Sequence, residues 1–196
     1  HTGWTENMLE SDPTAWVSFA IGVALGRFGK DGEGILDEAP DAALPAGILF
    51  VSDATGKDGL THPACTGLHD AWAEHGPAID EGTSPTNEGL RDWLRKSFFA
   101  DMHRKMYESR PIYFPLSSDK KSFVAFVSIH RWTDTTLQTL LADHLLPEQR
   151  ALDGELDDLR KARHSTDQSR ARHADQRFDQ VKKLHEELTD FIAAVR

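Results

Sequence analysis

Three groups of side chains in this 196-residue chain could do chemistry, and each group points to a different kind. His62, Cys65, His69 and His75 lie close together in sequence, and imidazole and thiolate are the donors that hold zinc. Their spacing, H-x6-H-x5-H with the cysteine inside, matches no paired-ligand zinc pattern. No metal site is expected. Gly56-Lys57-Asp58-Gly59 follows a candidate strand and imitates half of a phosphate loop. The complete G-x-x-x-x-G-K-[ST] is missing, so no nucleotide site is expected. The third group is cationic: Arg110, Lys120, Lys121 and Arg131, with Arg104 upstream. Long cations at a hairpin tip or a strand end reach phosphates. Arg110, Lys120, Lys121 and Arg131 are therefore the candidate nucleic-acid contacts. Two plainer readings stand beside this one. A Lys-Lys turn is also what a solvated turn looks like, and Arg110 and Arg131 could pair with acids inside the fold. His130 is expected to make a structural hydrogen bond. No nucleophile with a partner base can be identified, so the sequence gives no support to a stand-alone hydrolase.

A strand–turn–strand unit must position these cations. Ile112 to Leu116 and Phe123 to Ile129 read as strands, and Ser117 to Ser122 as the loop between them. Pro111 forces extended chain into the first strand. Both alternating sets of the second strand are largely apolar, which predicts a strand covered on both faces. A helix from about Glu88 to Tyr107, capped by Thr86 or Asn87, leads into the hairpin. Leu90, Leu94, Phe98, Met102 and Met106 recur along one side of it, with Trp93 beside them, and its basic residues lie mainly on other faces. A helix capped by Thr133 or Asp134 leads out to about Leu146.

Upstream, Asp12 and Pro13 supply the N-cap and first position of a helix to about Phe28. Gly22 and Gly26 on it would let another backbone approach closely. Gly47 to Val51 reads as a short buried strand between loops. A short helix from Ala64 to His75 ends at the breaker-rich segment 76–87, taken as the main internal boundary. Beyond Pro147 the chain is charged and nearly free of Gly and Pro. Leu145, Leu152, Leu156 and Leu159 face Phe178, Val181, His185, Leu188, Ile192 and Val195 in a heptad-like seam. This predicts an antiparallel helical hairpin, coiled-coil-like, with its turn at 164–168. The expected class is α+β: a helix-rich domain with a small sheet, followed by that hairpin. The expected organisation is residues 1–87, 88–146 and 147–196.

Charge is distributed unevenly. The net charge is −10, and residues 1–89 carry 3 basic against 15 acidic side chains. Residues 90–145 carry 9 against 6, so the one net-basic segment contains the hairpin. So acidic a chain binds DNA weakly by itself, because phosphate contacts supply most non-specific affinity. The acidic third could be a DNA mimic or meet a basic partner, and a solvated surface is the simpler explanation. The most apolar run, Ala15 to Leu25, falls short of the roughly 18 residues of a membrane span. It lacks a basic leader, so neither a membrane segment nor a signal peptide is expected. The single Cys65 excludes an intrachain disulfide and fits a reducing cytoplasm. The chain starts at His1 and ends at Arg196 inside an amphipathic pattern, which suggests a piece of a longer protein.

Arg110-Pro111-Ile112-Tyr113-Phe114, Ser117-Ser118 and His130-Arg131-Trp132 together resemble a signature in the C-terminal region of large adenine-specific DNA methyltransferases, the PglX proteins of BREX phage-defence systems and related restriction–modification enzymes. Phe19 to Phe28, Leu90 to Phe99 with Tyr107, and Leu137 to Leu146 resemble flanking blocks of the same family. Phe114 stands where that family usually has Trp. The family's Asn-Pro-Pro-Tyr-type catalytic motif and its Gly-rich S-adenosylmethionine loop are absent here. The resemblance therefore implies a cytoplasmic parent that methylates adenine at N6 with S-adenosylmethionine after flipping the base. It implies for this chain a part in holding DNA, in target recognition and in spacing, without catalytic or cofactor residues of its own. Its partners would be DNA, the rest of the parent and other defence-system subunits. The alternative is a protein-interaction module that docks partner subunits through the helical hairpin.

Overall fold

Asp12 and Pro13 start the first helix for local reasons. Pro13 has a φ preset for helix and no N–H to leave unpaired. The Asp12 carboxylate accepts from the Thr14 amide at 2.9 Å. The computed structural model describes residues 12–29, 35–55, 62–79, 85–103 and 112–196. Helix α1 is Pro13–Ala24, four residues shorter than expected. It stops because Gly26 adopts φ +72, which only glycine takes without strain. The Gly26 amide then donates to Val23 O, and the Arg27 amide to Gly22 O, in the paired pattern of a glycine-terminated helix. The chain returns so tightly that the Phe28 ring lies where a Gly22 side chain would stand. At Gly22 the space is filled by a side-chain ring and not, as expected, by another backbone.

Strand β1 is Ile48–Phe50, followed by the one-turn helix α2, Val51–Ala54, where the sequence predicts the strand's last residue and the start of a loop. Helix α3, Thr66–Ile79, runs past its expected end at His75 and through Gly76-Pro77. The pair falls in the last turn, where proline removes a single ladder bond. A Cβ on Gly76 would meet the Trp72 indole at 2.9 Å, so the glycine makes room for a buried tryptophan.

Helix α4, Asn87–Trp93, is capped by Thr86, whose hydroxyl accepts from the Gly89 amide at 3.3 Å. It continues from Leu94 to His103 with π-helical, i→i+5 turns. An α-helix advances about 40° around its axis for every four-residue step, so an apolar repeat of four drifts off one face. Wider turns reduce that drift, and Leu90, Leu94 and Phe98 are all buried.

Strands β2, Tyr113–Ser117, and β3, Val124–Ser128, complete a sheet of order β1-β3-β2. Strand β3 pairs antiparallel with β1, Ile48 opposite Val127 and Phe50 opposite Ala125. The central β3 is buried at every position, as its two apolar faces predict. Trp72, Trp93, Phe98, Tyr113 and Phe126 form a chain of ring contacts with centroids 5.0–6.0 Å apart. Tyr113 satisfies its buried hydroxyl on Ser18 at 3.0 Å.

The chain forms two compact units. The first comprises residues 1–116 and 123–133, and the second residues 117–122 and 134–196. In the second, helix α5, Thr136–Thr139, follows Thr135, which makes no side-chain cap bond. Leu140–Leu145 again has π-helical turns, which bring the buried Leu140 and Leu145, five residues apart, toward one line. Helix α6, Leu146–Ala162, carries Pro147 in its first turn and so follows on directly. Asp167 caps α7, Gln168–Val195. Helices α6 and α7 pack antiparallel: Gln149 bonds Thr189, Asp153 pairs with His185, Glu155 with Arg177, and Arg163 with Asp175. Leu152, Leu156, Val181, Leu188 and Ile192 are buried as the seam predicts. Ala174 and Phe191 are buried as well and were not anticipated.

Candidate nucleic-acid interface

The cations at the hairpin tip stand on a turn whose backbone is held from a distance. Lys121 takes a left-handed φ of +58, and its amide closes the turn on Ser118 O at 3.0 Å. Three donors of the turn converge on one oxygen. Glu187 Oε1, on α7, accepts from the Ser118 hydroxyl at 2.5 Å and from the Lys120 and Ser122 amides at 3.1 Å each. Successive amides around a left-handed residue make a concave anion site, and here the anion is the protein's own carboxylate. Partial burial pushes the Glu187 carboxyl up, but the bonds from Ser118, Ser122 and the Lys120 amide outweigh it and hold it below its ordinary value. Ser118 is buried beneath the turn, while Lys120 and Lys121 are exposed. Neither ammonium makes an ion pair among the described residues. Lys183, one helical turn before Glu187 and exposed, adds a cation to that side of α7.

The other candidate cations are placed differently. Arg131 belongs to the first unit and is half-buried. Its Nη1 donates to Leu44 O at 2.9 Å and Leu25 O at 3.4 Å, and its stem lies against Gly47, whose φ is +65. It ties the end of α1 to the loop before β1. Arg110 and Arg104 lie outside the described residues, as does the Gly56–Gly59 segment. His130 is exposed, with its pKa held below the ordinary imidazole value by desolvation and then by the Arg27 cation. Arg91 and Arg95 turn inward to Thr55 Oγ1 and Ser52 Oγ.

The imidazoles and Cys65 do not converge. His69 uses both ring nitrogens, on Asn87 Oδ1 at 2.9 Å and Ala54 O at 2.8 Å. His62 accepts from the Ala64 amide, and His75 stacks on Trp16. The thiol of Cys65 is buried and pushed up to about 12, first by burial and then by Asp53. A thiol held protonated at neutral pH is a poor nucleophile.

No protein-family model matches the chain. Among curated proteins, it is 27% identical over 165 residues to "Adenine-specific methyltransferase BrxX" of Escherichia coli O9:H4 (strain HS), covering 67% of this chain. It is 28% identical over 206 residues to "Adenine-specific methyltransferase PglX" of Lacticaseibacillus casei (strain Zhang), covering 94% of this chain. The resemblance to PglX-like methyltransferases holds. At 94% coverage, the likeness to PglX takes in parts of both compact units. The chain spans only 14% and 17% of the lengths of these two relatives.

Sequence reasoning places Lys120 and Lys121 on the hairpin turn, where the structure has them exposed, but does not single out Glu187, which reads as one more acid on a charged helix. Its partner turn lies 69 residues away in sequence, and no local pattern marks such a pair.

Proposed function

We propose that this chain is a DNA-holding and spacing piece, C-terminal in position, of a PglX-like adenine-specific DNA methyltransferase in a BREX-type phage-defence system. Methyl transfer and S-adenosylmethionine binding belong to other parts of the parent. One observation carries the reading: two exposed lysines, in no ion pair among the described residues, are presented by a turn whose backbone Glu187 holds fixed. A fixed turn loses little entropy when its cations meet phosphates. Such contacts set position and register and carry no sequence information. A chain of net charge −10 would hold DNA weakly alone and lend its tip to a parent that grips elsewhere.

Lysine footprinting tests this. The chain is acetylated with and without excess random duplex at low salt, and modification is mapped by mass spectrometry. Lys120 and Lys121 should be protected, by about threefold or more, while Lys161, salt-bridged to Asp158 on α6, should react equally in both samples. Equal protection of all three lysines, or of none, would refute a role for the tip.

A further inference from the structure

The first unit contains an open cleft of about 1290 Å³ that the DNA reading leaves unused. Its floor is one stripe of α1, formed by Trp16, Phe19, Ala20 and Val23 at helical spacing, with Phe28 and Leu36 alongside. Its two banks are acidic. Glu38 and Asp41 stand on the loop after α1, and Asp70 and Glu74, one turn apart, stand on α3. All four carboxylates are exposed, and no Lys or Arg lines the cleft among the described residues.

We propose that this cleft docks a cationic amphipathic helix of another protein. An apolar floor of this length matches the i, i+3, i+4, i+7 side chains of a helix laid in a groove. Its volume exceeds the roughly 300–1,000 Å³ of typical small-molecule sites. Carboxylates on both banks repel phosphate, so nucleic acid is excluded from this face, and they favour Lys or Arg on either side of an apolar stripe. The same charge argues against other occupants. A second copy of this chain brings a net charge of −10. The chain's own residues 1–11 contain Glu6 and Glu10 and no Lys or Arg. The cleft lies wholly in the first unit, so this docking stands or falls apart from DNA binding at the hairpin tip.

The test uses the full chain and a labelled 18-residue peptide of Leu, Lys and one Trp, with its apolar residues at helical spacing. A second peptide replaces every Lys by Glu. Fluorescence anisotropy should show binding of the Lys peptide and none of the Glu peptide. The surface variant Asp70→Lys/Glu74→Lys should weaken binding about tenfold or more, and Asp157→Lys/Asp158→Lys on α6 should leave it nearly unchanged. Equal loss in both variants would mean attraction by net charge and would overturn the docking site. So would equal binding of the two peptides. Binding that appears only after removal of residues 1–11 would overturn it in favour of an internal occupant.

Discussion

Glu187 is the residue on which the hairpin tip depends. It gathers three hydrogen bonds, one of them from the buried Ser118 hydroxyl. Glu187→Ala should therefore cost about 1–3 kcal/mol, the range for bonds to a charged acceptor whose loss leaves a buried donor unpaired. The pH dependence follows from the direction of the shift. The folded carboxyl sits below its ordinary value of 4.5. Its contribution is complete above that value and is lost as pH falls through the depressed folded value. Urea unfolding of wild type and Glu187→Gln should show a constant stability gap above about pH 5 that closes on further acidification. A gap that instead widens on acidification would contradict the clamp. Arg131 shows the reverse lesson. Sequence alone left it between DNA and the interior, and the two carbonyls it reaches give it a structural task.

At the scale of elements, α1 ends where Gly26 can reverse the chain, and that position tolerates no side chain. Gly26→Ala meets both a φ of +72 and Ala39 Cβ at 2.7 Å, and should destabilise by about 1–3 kcal/mol. Gly154, inside α6, has nothing within 4 Å of an added Cβ. Gly154→Ala should stabilise by about 0.5–1 kcal/mol. Denaturant midpoints of the two variants, moving in opposite directions, check both. Signals confined to a few residues were legible in the sequence. The Asp12-Pro13 start and the Thr86 cap depend on neighbours within a turn, and the two strands around Ser117–Ser122 and helices α6 and α7 show in the periodicity of their own residues. Features set by distant packing were not. Helix α3 passes Gly76-Pro77, and Trp72 fills the space beside Gly76. The π-helical turns that begin at Leu94 and Leu140 carry the buried Leu94, Phe98, Leu140 and Leu145, and no local sequence pattern marks them.

For the whole molecule, the distribution of charge separates the two proposed tasks. The acidic cleft belongs to the first unit, and the lysine-bearing turn to the second. A net charge of −10 predicts that any DNA affinity is small and steeply dependent on salt. DNA is the proposed ligand, and the chain spans only 14% and 17% of the lengths of the two relatives. The decisive measurement is the slope of log affinity against log salt for a random duplex, wild type against Lys120→Ala/Lys121→Ala. Each phosphate contact contributes a slope of about −0.9, so the double variant should be shallower by about 2. Identical slopes for the two proteins, or no binding of wild type at low salt, would contradict a DNA-holding turn.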